Sequence, residues 1–149
     1  MIDKSDYYHG TTILKVLEDN QTHQICFKNN SYLIDSSNLI FLKYTTKSKS
    51  PWRFTFSEKE IESIRSSFSD KLNIFFVLIC DGDGLCALKC QELLKLLNQK
   101  TGWVAVSRKF NKQYSVSGQN GYLEKKIPFG RWPKILFEKE EEINCRRNK

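Results

Sequence analysis

The run Leu39-Ile40-Phe41-Leu42 is apolar at consecutive positions, so any strand it forms is hydrophobic on both faces. Such a strand belongs in the middle of a sheet that is covered on both sides. Ser31–Asp35 precedes it, and Ser36-Ser37-Asn38 reads as a three-residue hairpin loop. That reading sets Asp35 opposite Leu39 and Ser31 opposite Lys43. The second strand ends in Lys43 and opens into a basic, hydroxyl-rich loop that contains Lys47, Lys49 and Ser50. Pro51 breaks the chain, and Trp52–Phe56 then alternates aromatic with polar residues.

The remaining elements follow from the same cues. Thr11 or Thr12 caps a short first helix that runs through Leu17, and the weak alternation of Gln24–Lys28 predicts a strand. Ser57 and Glu60 form a capping box, after which Ile61, Ile64 and Phe68 share one helical face. Asn73–Cys80 is a dense apolar strand, turned by Asp81-Gly82-Asp83-Gly84 into a return strand. Cys90, Leu93, Leu94 and Leu97 predict the buried stripe of a third helix. Trp103–Ser107, Tyr114–Ser117 and Tyr122–Ile127 are three further strands, with Asn120-Gly121 in the last turn. The order α-β-β-β-β-α-β-β-α-β-β-β predicts an α+β fold with a central mixed or antiparallel sheet flanked by helices. A chain of 149 residues is one domain by size, here residues 1–137, with 138–149 as a charged tail.

Charge points to a partner. Between residues 99 and 137 eight basic residues face one acid, Glu124, which equals the whole net charge of +7. A field of this kind favours a polyanion, nucleic acid first. Lys43, Lys47, Lys49 and Arg53 form one group of candidate contacts, interleaved with Tyr44 and Trp52. Arg108, Lys109 and Lys112 form a second, beside Phe110 and Tyr114, and Lys125, Lys126 and Arg131 adjoin Trp132. Lysine and arginine neutralise phosphates, and exposed rings stack on bases. The alternative is a solvated face with the tryptophans in the core.

Five cysteines without a C-x-x-C pair, and no apolar run long enough to span a bilayer, predict a reduced, soluble, cytoplasmic protein. Cys80, Cys86 and Cys90 read as core residues, since His9 and His23 are too distant to complete a zinc site. Asp81 and Asp83 occupy positions 1 and 3 of a would-be calcium loop, but Leu85 and Cys86 occupy positions 5 and 6. Turn chemistry explains them better, with a metal role as the lesser alternative.

The segment from Thr11 to Cys80 resembles the restriction-endonuclease-like PD-(D/E)XK fold. The resemblance rests on the order helix, β-hairpin, helix, strand, and on Lys43 ending the third strand. It implies a site in which carboxylates hold a divalent cation and the lysine steadies the attacking hydroxide. Phe41 stands where the acid two residues before the lysine would be. Asp35 is four residues along the strand, about 13 Å away at the usual rise. The nuclease centre therefore reads as degenerate. Three functions follow: a nucleic-acid-binding protein that does not cut; an interaction module for an acidic protein; or a metal-dependent nuclease with unorthodox ligands such as Asp81 or Asp83. No cofactor is expected for the first two, and Mg²⁺ only for the third.

Overall fold

A computed structural model of the chain describes residues 2–19, 23–28, 31–97 and 101–138. Its content is α+β. Among the described residues three helices, α1 (Lys4–Leu17), α2 (Glu58–Ser66) and α3 (Cys90–Leu94), accompany nine strands in two sheets. The first sheet has the order β1-β2-β3-β5-β6, from Ile25–Lys28, Ser31–Ile34, Asn38–Thr45, Asn73–Cys80 and Leu85–Lys89. It is mixed: β3 and β5 are parallel and the other pairs antiparallel. The second sheet has the order β4-β7-β8-β9, from Trp52–Phe56, Gly102–Ser107, Ser115–Gly118 and Gly121–Tyr122. It is antiparallel throughout.

β3 lies in the middle of the first sheet, as its two apolar faces require. Leu39 and Phe41 point into one core, and Ile40 and Leu42 into the other. β5 divides in the same way: Ile74, Phe76, Leu78 and Cys80 on one side, Phe75, Val77 and Ile79 on the other. The first core is closed by α2 and by the inner face of the second sheet, through Trp52, Phe54, Phe56, Val104, Val106 and Val116. The second is closed by Tyr8 and Val16 of α1 and by Trp132, Ile135 and Leu136 near a 3₁₀ turn at Lys134–Phe137. Fully burying one such side chain contributes about 1.5–3 kcal/mol.

The strands therefore divide between two sheets where one was expected. β4 alternates aromatic and polar residues, so it has one buried face and pairs with β7 instead of joining the two-faced strands. α1 begins at Lys4, well before Thr11. Asp3 accepts from the Asp6 backbone N–H and Asp6 from that of Asp3, an acidic capping box the sequence reading passed over. The hairpin register also differs: Ile34 pairs with Asn38 and Tyr32 with Ile40. Asp35 and Ser36 take positive φ (54° and 61°), so the turn is Asp35-Ser36-Ser37 and Asn38 enters the strand. Lys43 then lies beyond the paired part of β2, and the turn signal Asn29-Asn30 falls outside the described residues.

Other differences are local. Phe68 is 45% exposed on a 3₁₀ turn, off the face of Ile61 and Ile64. α3 is one short helix, and Leu96 and Leu97 are buried after it ends. The last strand is only Gly121–Tyr122; Ile127 returns as a single bridge to Tyr114 while residues 124–126 stay exposed. Among the described residues no helix is long and apolar enough to cross a membrane.

One polar clamp ties these parts together. His23 bonds Asp19, just past α1, at 2.9 Å and Asp35, in the β2–β3 turn, at 2.7 Å. Its ring stacks on Phe137 at 4.9 Å. The bonds to Asp35 and then Asp19 raise its pKa above 6.5, and the Gln24 N–H and then His23 lower that of Asp35 below 3.8. A raised histidine stabilises fully below its unfolded value and loses this as pH rises through its native one. A lowered aspartate stabilises above its unfolded value and loses this as pH falls through its native one. The clamp is therefore strongest between about pH 4 and 6.5. In thermal melts across pH, His23→Gln should remove most of the wild-type gain in that window. Equal pH profiles for the two proteins would refute the clamp.

Candidate functional site

The loop after β7 and the turn between β5 and β6 meet at one ion pair. Arg108 Nε donates to Asp83 Oδ2 at 2.9 Å and Nη2 to Oδ1 at 2.8 Å, a bidentate fork. Tyr114 Oη donates to the same carboxylate at 3.0 Å. Arg108 also donates to the Lys112 carbonyl at 3.2 Å, and its guanidinium lies over the Phe129 ring at 4.2 Å. The Arg108 bonds hold the Asp83 carboxyl below its usual range despite partial burial. Burial pushes the Tyr114 hydroxyl up. Gly84 sits beneath this network: a Cβ there would lie 2.7 Å from Tyr114 Oη and 2.8 Å from Phe129.

This network shapes a cleft. An open cavity of about 540 Å³ is lined by Ser50, Ser107, Arg108, Lys109, Lys112, Gln113, Ser115 and Lys126. Four cations and four neutral polar side chains line it, and among the described residues no carboxylate does. Arg108 is already matched by Asp83, so its part is to position the loop; Lys109, Lys112 and Lys126 are exposed. Lys126 donates to Ser115 Oγ, which holds it over the end of β8. The Arg108 backbone N–H donates to Ser50 Oγ at 3.3 Å, so the basic loop after β3 reaches the same cleft. Phe110, between Lys109 and Lys112, is 86% exposed.

The first group of basic residues does not converge in this way. Lys43 is ion-paired with Glu60 and lies over the Phe56 ring at 4.7 Å. Partial burial opposes ionisation of Glu60, but Lys43 and the Ser57 N–H outweigh it and lower its pKa. Lys47 Nζ donates to the Pro51 carbonyl at 2.9 Å, and Trp52 Nε1 to the Lys47 carbonyl at 2.9 Å, so this loop closes on itself. Lys49 is exposed. Arg53 projects from the outer face of β4 over the Trp103 ring at 4.6 Å.

The surroundings of Lys43 do not fit a metal-dependent nuclease centre. Its cavity, about 330 Å³, is walled by Phe41, Phe56, Phe76 and Ile64. Phe41 stacks on Phe76 at 5.3 Å. Glu60 supplies one carboxylate, already bonded to Lys43 and the Ser57 N–H. Asp81 and Asp83 turn to separate partners, Tyr8 and Arg108. Among the described residues no three His, Cys, Asp or Glu side chains converge to hold a metal. Cys80 and Cys86 are buried, free thiols whose pKa burial raises.

Three tryptophan and tyrosine rings that the sequence grouped with the basic residues are buried: Trp52, Tyr114 and Trp132. Tyr44 and Phe110, from the same groups, stay exposed. Outside the core are also half-buried Trp103 and exposed Tyr122, which the sequence reading did not single out. The signal was present in the alternation of Trp103, Ala105 and Ser107 with buried Val104 and Val106. Comparison with known protein families, characterised proteins and solved structures found no match to the chain.

Two variants separate the roles. Asp83→Asn should lower stability by about 1–3 kcal/mol, because it weakens a partly buried, doubly bonded pair. Lys43→Ala should cost less than about 1 kcal/mol, as expected for a half-exposed pair at a helix cap. Chemical denaturation measures both, and a reversed order would contradict this assignment.

Proposed function

We propose that the protein binds nucleic acid, without cutting it, through the cleft formed by Lys109, Lys112 and Lys126. The observation that carries this reading is a cavity lined by cations, hydroxyls and an amide, with no acid among the described residues that line it. Phosphate oxygens accept from each of these donor types, and neighbouring lysines gain further by releasing counterions. The concentration of charge in residues 99–137 agrees with this. The likeness of Thr11–Cys80 to an endonuclease-like scaffold is a second, weaker support. Its lysine is paired with Glu60 and Phe41 replaces the acid, which favours binding over cleavage. Arg108 is a positioning residue, and Lys43 lies outside the contact set.

Binding of an oligonucleotide at low salt should weaken steeply as salt rises. Lys109→Ala, Lys112→Ala and Lys126→Ala should each lower the slope of log K against log salt by about 0.7–0.9. Lys43→Ala should leave that slope unchanged. Fluorescence anisotropy across a salt series measures both. No binding at low ionic strength, or equal effects of Lys43 and the cleft lysines, would overturn the proposal.

A further inference from the structure

The cleft is not isolated. Ser107 and Ser115 line it and also belong to the outer face of the second sheet. Register places Arg53, Ala105, Ser117 and Tyr122 in one row across β4, β7, β8 and β9. Thr55 and Trp103 form the next row, and Ser107 and Ser115 pair on the other side. This face has an unusual composition for an exposed sheet. Its small residues are alanine, serine and threonine, and its large ones are Trp103, Arg53 and Tyr122. It carries no aliphatic side chain larger than alanine, whereas the inner face of the same strands buries Trp52, Phe54, Phe56, Val104, Val106 and Val116.

We infer that this outer face is a base-stacking platform, so that the nucleic acid held by the cleft is single-stranded. The inference rests on the nucleic-acid reading above. Tyr122 is 73% exposed and Trp103 is half-buried, with the Arg53 guanidinium over its ring. Rings and guanidinium planes stack on any base, while small neighbours leave room for a base to lie flat. Two strands and two residues separate Tyr122 from Trp103, about 12 Å at sheet spacings, so each ring meets a different base. The lysines at the Ser107–Ser115 end supply the backbone contacts. A duplex keeps its bases stacked inside and cannot use the rings, and an acidic protein would need the cations but not a flat aromatic row.

The test uses the intrinsic fluorescence of the full chain. Trp52 and Trp132 are 2% and 6% exposed, so quenching by a bound base reports Trp103. The chain is titrated at low salt with a single strand of about 15 nucleotides, the matching duplex, polyphosphate and polyglutamate. The single strand should quench and bind about tenfold or more tightly than the others. Tyr122→Ala should weaken it about fivefold or more, as expected for one lost stack, without changing the salt slope. Trp103→Phe should abolish the quenching but keep most of the affinity. Equal affinity for single strand and duplex without quenching would overturn the platform and leave the cleft reading standing. Polyphosphate or polyglutamate binding as tightly as the single strand would also overturn it. No binding of any polyanion would overturn both readings.

Discussion

A strand that is apolar on both faces has to be covered twice, and most of this architecture follows from meeting that demand for β3 and β5. They lie side by side and parallel, and each sends alternate residues into two separate cores. Parallel pairing needs a crossover, and β4 and α2 lie within it. α2 and β4 help to cover one face of the pair. α1 and the segment around Trp132–Leu136 cover the other. Trp132 Nε1 donates to the Thr12 carbonyl at 3.0 Å, which joins the two pieces of that cover.

The second sheet has the opposite character. Its inner face is committed to the core, and its outer face is free of large aliphatic residues. A one-sided sheet is where a protein of this size can present a broad surface without giving up packing. The Asp83–Arg108 fork links that sheet to the first one at the β5–β6 turn. Because Arg108 is used there, the loop that follows carries Lys109, Phe110 and Lys112 outward. Through Ser107 and Ser115 the cleft beside that loop adjoins the outer face of the second sheet.

The region around Lys43 is built differently. Lys43 sits at the end of a central strand, but its charge is met by a helix-cap glutamate and its surroundings are phenylalanine. An ammonium held in this way stabilises the start of α2 and is poorly available to a phosphate. The basic loop beyond it folds back through Lys47 and Trp52. Only Ser50 at its end reaches the cleft.

Hydrophobic period and turn chemistry are local properties, and they were enough to read the α+β class, the order of the elements, the central place of β3 and the Ser57–Glu60 cap from the sequence. The concentration of basic charge in residues 99–137 was equally plain. The hairpin register was not, because it depends on which residues accept positive φ, and Asp35 and Ser36 did so ahead of Asn38. Nor was the division into two sheets, since alternation shows that β4 has one buried face but not which strand it will pair with. The sequence by itself determined that lysines and aromatic rings would lie near one another. Only tertiary structure decided which of them point outward: Arg108 and Lys43 each meet a distant carboxylate, Trp52, Tyr114 and Trp132 fill cores, and Trp103, Phe110, Tyr122, Lys109, Lys112 and Lys126 lie on the outside. The physical reason is that pairing and burial join residues far apart in the chain, and no local pattern encodes the partner.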